Sequence, residues 1–226
     1  MSSLTQLLAS HGRLLVLDAS STRVQVGLLR TGIPALWRGF DAEAGTGIFA
    51  GTEAVLQEAG SMLADIGAFV FCEGPGSMLG TRTVAMALRT WQVLKPRPAY
   101  AYQSLAVAGR LAWTQSPRGF AVIADARRDT WHVQSVGPDD RLTPLQRMAA
   151  AELPAGELLT PANFRTWAPP PRPATVCSYD LAEIFPALAD GDYFRATAAP
   201  DAFQHEAPEY KKWSAQVHSA ATAGSK

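Results

Sequence analysis

The chain has 226 residues, of which 47% are hydrophobic and 18% charged, enough to fill a sizeable core as one large domain or two small lobes. Lys+Arg 20 balances Asp+Glu 20, which argues against a protein that grips nucleic acid unaided, since phosphate contacts need a basic surface. It leaves room for a subunit whose partner makes those contacts. No apolar run reaches the roughly 20 residues of a membrane span. Met1 to His11 has neither a basic region nor a long apolar core, so no signal peptide is expected and the chain reads as soluble, cytoplasmic and free of the membrane. Cys72 and Cys177 both sit in apolar runs and read as buried free thiols, as a reducing compartment allows.

In chain order, Arg13 to Asp18 reads as a strand, Ala19 to Thr22 as a turn, and Val24, Val26 and Leu28 alternate with Gln25 and Gly27 at the period of a second strand. A third strand is expected from Ala35 to Phe40, completing an antiparallel meander, then a helix from Ile48 to Ala59. Ala68 to Cys72 is continuously apolar, the mark of a strand buried on both faces. Gly74-Pro75-Gly76-Ser77 then leads into a helix from about Leu79 to Leu94. On it Val84, Leu88 and Trp91 form one stripe, while Arg82, Met86, Arg89 and Val93 form another. Ala99 to Tyr102 reads as a fifth strand, with Ser104 capping a helix from Leu105 to Trp113. Gln115 to Gly119 reads as the boundary between lobes 1–114 and 115–226. Beyond it, Phe120 to Ala124 and Trp131 to Val136 flank Asp125-Ala126-Arg127-Arg128-Asp129 as a hairpin. A helix around Pro144 to Glu152, a proline-rich loop from Trp167 to Pro173, a strand at Ala174 to Cys177 and a helix at Leu181 to Leu188 follow. The tail is expected to be disordered from about residue 218. Both halves open on a β-hairpin and go on to alternate helix and strand, the pattern of a duplicated α/β fold.

Three constellations carry chemistry. A strand that empties through a glycine turn into a helix aims backbone N–H groups at one point, where the helix dipole is positive. Gly74, Gly76 and Ser77, with Asp18, Ser20 and Ser21 of the first turn, are therefore a candidate anion or nucleotide-like loop. The alternatives are plain chain reversal and a helix cap. Asp125 with Arg127 and Arg128 reads either as a strand-end site or as a solvated hairpin tip. His11, His132, His205 and His218 have no helical pairing and no neighbouring cysteine, so no metal site is expected, and no nucleophile elbow is present.

Taken together, these segments resemble the TsaB/YeaZ family of bacterial threonylcarbamoyladenosine biosynthesis proteins. The matching segments are Leu17-Asp18-Ala19-Ser20-Ser21 for a D-T-S-T-like turn and Gly74-Pro75-Gly76-Ser77-Met78-Leu79-Gly80-Thr81-Arg82 for G-P-G-S-F-T-G-L-R. Ser104-Leu105 with Ala108, Asp125-Ala126-Arg127, and Pro208-Glu209-Tyr210 before Lys211 and Lys212 complete the set. Ala19 replaces a threonine, Met78-Leu79 replaces Phe-Thr, and the helix from Ile48 lacks the family's histidine. The resemblance implies an α/β, actin-like ATPase (ribonuclease H-like) fold in two similar lobes. It also implies a non-catalytic role without cofactor: an activating partner of a TsaD-like catalytic subunit and a TsaE-like ATPase, in contact with tRNA only indirectly. Arg82, Met86, Arg89 and Val93 would face the partner, or a second copy in a homodimer. The rival readings are an actin-fold phosphotransferase using Asp18 and Asp125, a metalloprotease, and an interaction module that has lost the tRNA role.

Overall fold

The computed structural model describes residues 1–204. The Pro208–Lys212 segment, His205, His218 and the expected disordered tail lie outside the described residues. Two mixed sheets share one topology. In the first, β1 (Arg13–Asp18) is central; β2 (Val24–Arg30) pairs antiparallel with it and β3 (Ile33–Phe40) antiparallel with β2, while β4 (Ala68–Gly74) pairs parallel with β1 and β5 (Ala99–Gln103) parallel with β4, giving the order β3-β2-β1-β4-β5. In the second, β6 (Phe120–Asp125) takes the central place. β7 (Thr130–Val136) pairs antiparallel with it and β8 (Gln146–Ala149) antiparallel with β7, while β9 (Leu158–Pro161) pairs parallel with β6 and β10 (Thr175–Cys177) parallel with β9, in the matching order β8-β7-β6-β9-β10. The first sheet gains a sixth strand, β11 (Arg195–Thr197), antiparallel to β5, and Phe194 bridges to Ser2. The chain beyond residue 193 therefore returns to the first lobe rather than staying with the second.

Strand alternation divides the core. Leu14 and Val16 of β1, Val70 and Cys72 of β4, and Phe120 and Val122 of β6 point inward to one cluster shared by both sheets. Between the sheets lie α4 (Ser104–Gln115) and α5 (Leu181–Ala187), through Leu105, Val107, Leu181 and Ile184. On the outer face of the first sheet, Leu15, Leu17, Phe69 and Phe71 pack under α2 (Ala44–Glu58) and α3 (Met78–Leu94). The outer face of the second sheet, with Ile123, Trp131 and Val133, is covered by Leu153 and by partly buried Met148, Ala150 and Ala174. Among the described residues no α-helix of the second lobe lies over it. Cys72 is buried and Cys177 partly buried, both unpaired.

The meander, the hairpin around Asp125, and the helices α2, α3, α4 and α5 stand within a few residues of expectation. The helix expected around Pro144 to Glu152 is instead β8 followed by a single 3-10 turn, Ala150–Glu152. Gln146 to Ala149 have helix-compatible side chains, but the open edge of β7 supplies a ladder from Thr130↔Ala149 to Val133↔Gln146 that overrides propensity. Ser104 does not cap α4; its N-cap is Gln103, and the Ser104 hydroxyl donates to the Pro75 carbonyl at 2.6 Å. The sequence reading also omitted α1 (Leu4–His11), although Ser3 and Gln6 form a reciprocal capping box there.

Leu105, fully buried between the sheets, tests the shared core. Leu105→Ala is expected to lower stability by about 2–5 kcal/mol. Tryptophan fluorescence and far-ultraviolet dichroism should report one coincident urea transition, because neither sheet has a private inner core.

Candidate functional site

The turn after β1 and the loop after β4 are stacked directly against each other. Gly76 adopts φ +146, and a Cβ there would overlap the Ser20 carbonyl oxygen; a Cβ on Gly80 would overlap that of Ala19. Only glycine permits this approach at both points. The Ser77 amide donates to the Ser20 carbonyl at 2.7 Å, and the Ser77 hydroxyl accepts the Gly80 amide at 3.2 Å, capping α3. Two of the amides that could have met an anion are thereby engaged. Met78 and Leu79 supply the first-turn donors that a helix cannot satisfy internally.

Beneath this stack lies Asp18, fully buried. Its Oδ1 accepts the Ser20 amide and the Ser20 hydroxyl, each at 2.7 Å, and its Oδ2 accepts the Tyr102 and Tyr179 hydroxyls, again at 2.7 Å each. Cys72 Sγ lies 3.8 Å from the Tyr179 hydroxyl. A buried carboxylate is tolerated only with such a complete set of donors. Tyr102 comes from β5, whereas Tyr179 enters α5 from the second lobe, so the node joins the two halves. Thr22 adds a backbone bond to Asn163 at 2.8 Å. Both tyrosines escaped the sequence reading. The available signal was general: a tyrosine in an apolar stretch needs a partner for its hydroxyl.

Asp125, at the end of β6, occupies in the second sheet the place Asp18 holds in the first. Its carboxylate accepts the amides of Arg127 at 2.6 Å, Trp167 at 2.6 Å and Ala168 at 3.0 Å. Arg127, Arg128 and Asp129 all take positive φ, from 52 to 65. This tip is pinned by Asp125, by the Thr130 hydroxyl on the Arg127 carbonyl at 2.7 Å, and by the Arg127 guanidinium over the Trp167 ring at 4.5 Å. A cleft of about 480 Å³ separates the hairpin from the glycine loop, lined by Gly76, Ser77 and Leu79 on one side and Asp125, Arg127 and Trp167 on the other. Of the expected loop residues, Gly76 and Ser77 line this cleft. Ser21 borders a neighbouring hollow, its hydroxyl held by Arg23. Asp18 and Ser20 are sealed below, and Gly74 shapes the turn at φ +119. Among the described residues no three His, Cys, Asp or Glu side chains form a metal-binding group, and no helix is long and apolar enough to cross a membrane.

The expected partner residues all lie on the outer side of α3. Val84, Leu88 and Trp91 are buried, while Arg82, Met86, Arg89 and Val93 are exposed. Leu79, Met86 and Val93 stand at every seventh position, at 77%, 59% and 85% exposure, and Met78 and Leu94 at the two ends of the helix are exposed as well. Arg82 and Arg89 sit between them at the same interval. Arg89 is held from the side by Asp201 at 3.2 Å and by the Pro200 carbonyl at 2.6 Å. Between α2 and α3 a groove of about 510 Å³ is floored by Phe49, Thr52, Leu56 and Trp91. Phe49 is half exposed, its ring set edge-on to Trp91 at 5.9 Å.

Two outcomes test this geometry. Asp18→Asn places an amide donor among four donors and is expected to destabilise the fold by about 3 kcal/mol, measured by urea unfolding. The second concerns alkaline pH. Burial first, and the Asp18 charge second, push the Tyr102 and Tyr179 phenols well above their ordinary value of 10. Unfolded tyrosines ionise near pH 10 while these do not, so the stability they confer is whole below about pH 10 and is lost as pH rises beyond it. Tyr179→Phe should flatten that alkaline decline.

No family model matches the chain, and no curated protein matches it. Among solved structures it is similar to YeaZ from Pseudomonas aeruginosa, at 23% identity and a TM-score of 0.62. A second Pseudomonas aeruginosa structure, of a protein similar to the peptidase YeaZ, matches at 22% and 0.61. Both matches cover 79% of this chain and 90% of the other. Together with the strand order repeated in the two sheets, this likeness shows an actin-like ATPase fold in two similar lobes.

Proposed function

We propose that the chain is a non-catalytic structural and activating subunit of a tRNA threonylcarbamoyladenosine-modifying complex. In this reading the α2–α3 face docks a TsaD-like catalytic subunit, a TsaE-like ATPase completes the assembly, and tRNA is reached through those partners. The observation that carries the reading is the outer face of α3. Leu79, Met86 and Val93 form a helical stripe seven residues apart, left open to solvent. An isolated exposed Leu means little, but an ordered stripe flanked by arginines has the apolar centre and polar rim of an interface. Heptad spacing suits a partner that is itself helical. The zero net charge agrees with tRNA contact made by others.

The engagement of Asp18 by four donors and of Asp125 by three backbone amides also supports it. A phosphotransferase would need these carboxylates for metal or for proton transfer, and each would first have to shed hydrogen bonds from its own chain. The glycine loop then serves as the brace that seats α3. Its remaining first-turn amides, with Arg127, are the anion-attracting elements of the cleft.

Met86→Asp places a charge in the centre of the stripe at a position exposed in the free chain. It is expected to abolish co-purification with the cognate TsaD-like subunit while leaving the thermal midpoint unchanged; an undiminished yield would count against the docking face. Light scattering of the same variant separates this reading from a homodimer. Calorimetry of the isolated chain with Mg-ATP is expected to show no micromolar binding, the opposite of what the phosphotransferase reading requires. Complementation of a strain depleted of its own TsaB separates the tRNA role from an interaction module that has lost it.

A further inference from the structure

The last described residues run along α3 toward the glycine loop. Arg89 holds Pro200 by its carbonyl at 2.6 Å and Asp201 by its carboxylate at 3.2 Å. Ala202 is buried, and the Phe203 amide donates to the Glu73 carbonyl at 2.7 Å. Arg89 stands about three turns along α3 from Met78, whereas Glu73 directly precedes the loop. From Pro200 to Phe203 the chain thus passes from the middle of α3 to the residue before Gly74. Gly76, the first loop residue to line the cleft of about 480 Å³, is two positions past Gly74.

The charged side chains lining that cleft are Arg127, Arg165 and Asp125, with His132 as its other titratable group. Asp125 is committed to three backbone amides. Among the described residues eight arginines form ion pairs, and neither Arg127 nor Arg165 is one of them. Arg127 is stacked on Trp167, whose ring is 60% exposed. Arg165 is exposed, and it borders both the cleft and the hollow beside Ser21. The cleft therefore offers two guanidinium groups without counter-charge and an open aromatic face.

The sequence beyond Gln204 reads His205-Glu206-Ala207-Pro208-Glu209-Tyr210. It carries two carboxylates and an aromatic ring, and Pro208 favours an extended Ala207. Three extended residues past Phe203 reach about 10 Å and six reach about 20 Å, enough to bring both glutamates past the loop. We propose that the cleft is the docking site of this chain's own segment 206–210. The Glu206 and Glu209 carboxylates pair with Arg127 and Arg165, and the Tyr210 ring packs on Trp167. Lys211 and Lys212 follow the acidic stretch and stay outside. A tethered ligand acts at an effective concentration on the order of millimolar, so charge-assisted contacts of modest strength suffice to keep the cleft occupied and closed to other anions.

NMR of the full chain tests this without any partner subunit, so its outcome is separate from that of Met86→Asp. In the parent, contacts between the Tyr210 ring protons and the Trp167 indole are expected as nuclear Overhauser effects. Glu206→Gln with Glu209→Gln lies outside residues 1–204 and leaves the described core unaltered. It should abolish those contacts and shift the Arg127 and Arg165 Nε–H signals, the Trp167 indole and the amides of residues 76–79. Arg165→Ala should shift the same loop amides and weaken the same contacts. Salt at about 1 M should move the parent toward the glutamine variant and leave that variant nearly unchanged. Cleft signals that are the same in parent and glutamine variant would overturn the proposal. So would contacts that fade on dilution, which would assign the occupant to a second copy.

Discussion

The structure turns on one buried carboxylate. Asp18 sits at the end of the central strand, out of water, and is held by four donors: its own turn through Ser20, the first sheet through Tyr102 and the second lobe through Tyr179. Because the two lobes share a single inner core, this node fixes how they face each other as well as how the first turn is shaped. The turn receives the glycine loop, the loop seats α3, and α3 presents its open face. The Ser104 hydroxyl on the Pro75 carbonyl secures the same loop from the start of α4.

Duplication makes the comparison between lobes instructive. Both central strands end in an aspartate, and both aspartates bond to the protein itself. Asp18 is closed beneath a turn, and Asp125 anchors the Trp167 loop. In a nucleotide-binding clamp, strand-end carboxylates at a cleft mouth must be free to meet metal or water. Here two such positions act as internal fasteners, and the cleft between them is bordered instead by a capped helix end and a pinned hairpin. Both carboxylates thus brace the strand ends from which they project.

Much of this was legible in the sequence, for identifiable reasons. The glycine loop announced itself because close approach at Gly76 and Gly80 admits no side chain. The two stripes of α3 followed from a clean 3.6-residue period. The first meander followed from alternation, and the Asp125 hairpin from turn residues between apolar runs. What failed was short or depended on distant partners. Gln146 to Ala149 became a strand because β7 had an edge to offer, which no local pattern reveals. β9 and β11 have four and three residues, too few for a period. Tyr102 and Tyr179 lie 77 positions apart in sequence and meet only through Asp18, so Asp18 and Ser20 were legible as site residues while the two tyrosines that complete their node were not.

The outer faces of the two sheets are clad differently: α2 and α3 lie over the first, while irregular chain around Leu153 lies over the second. The copies therefore differ in valence. Among the described residues the helical outer surface belongs to the first half alone, so a contact between two copies made through α2 and α3 on both closes on itself, with no second such surface from which to repeat.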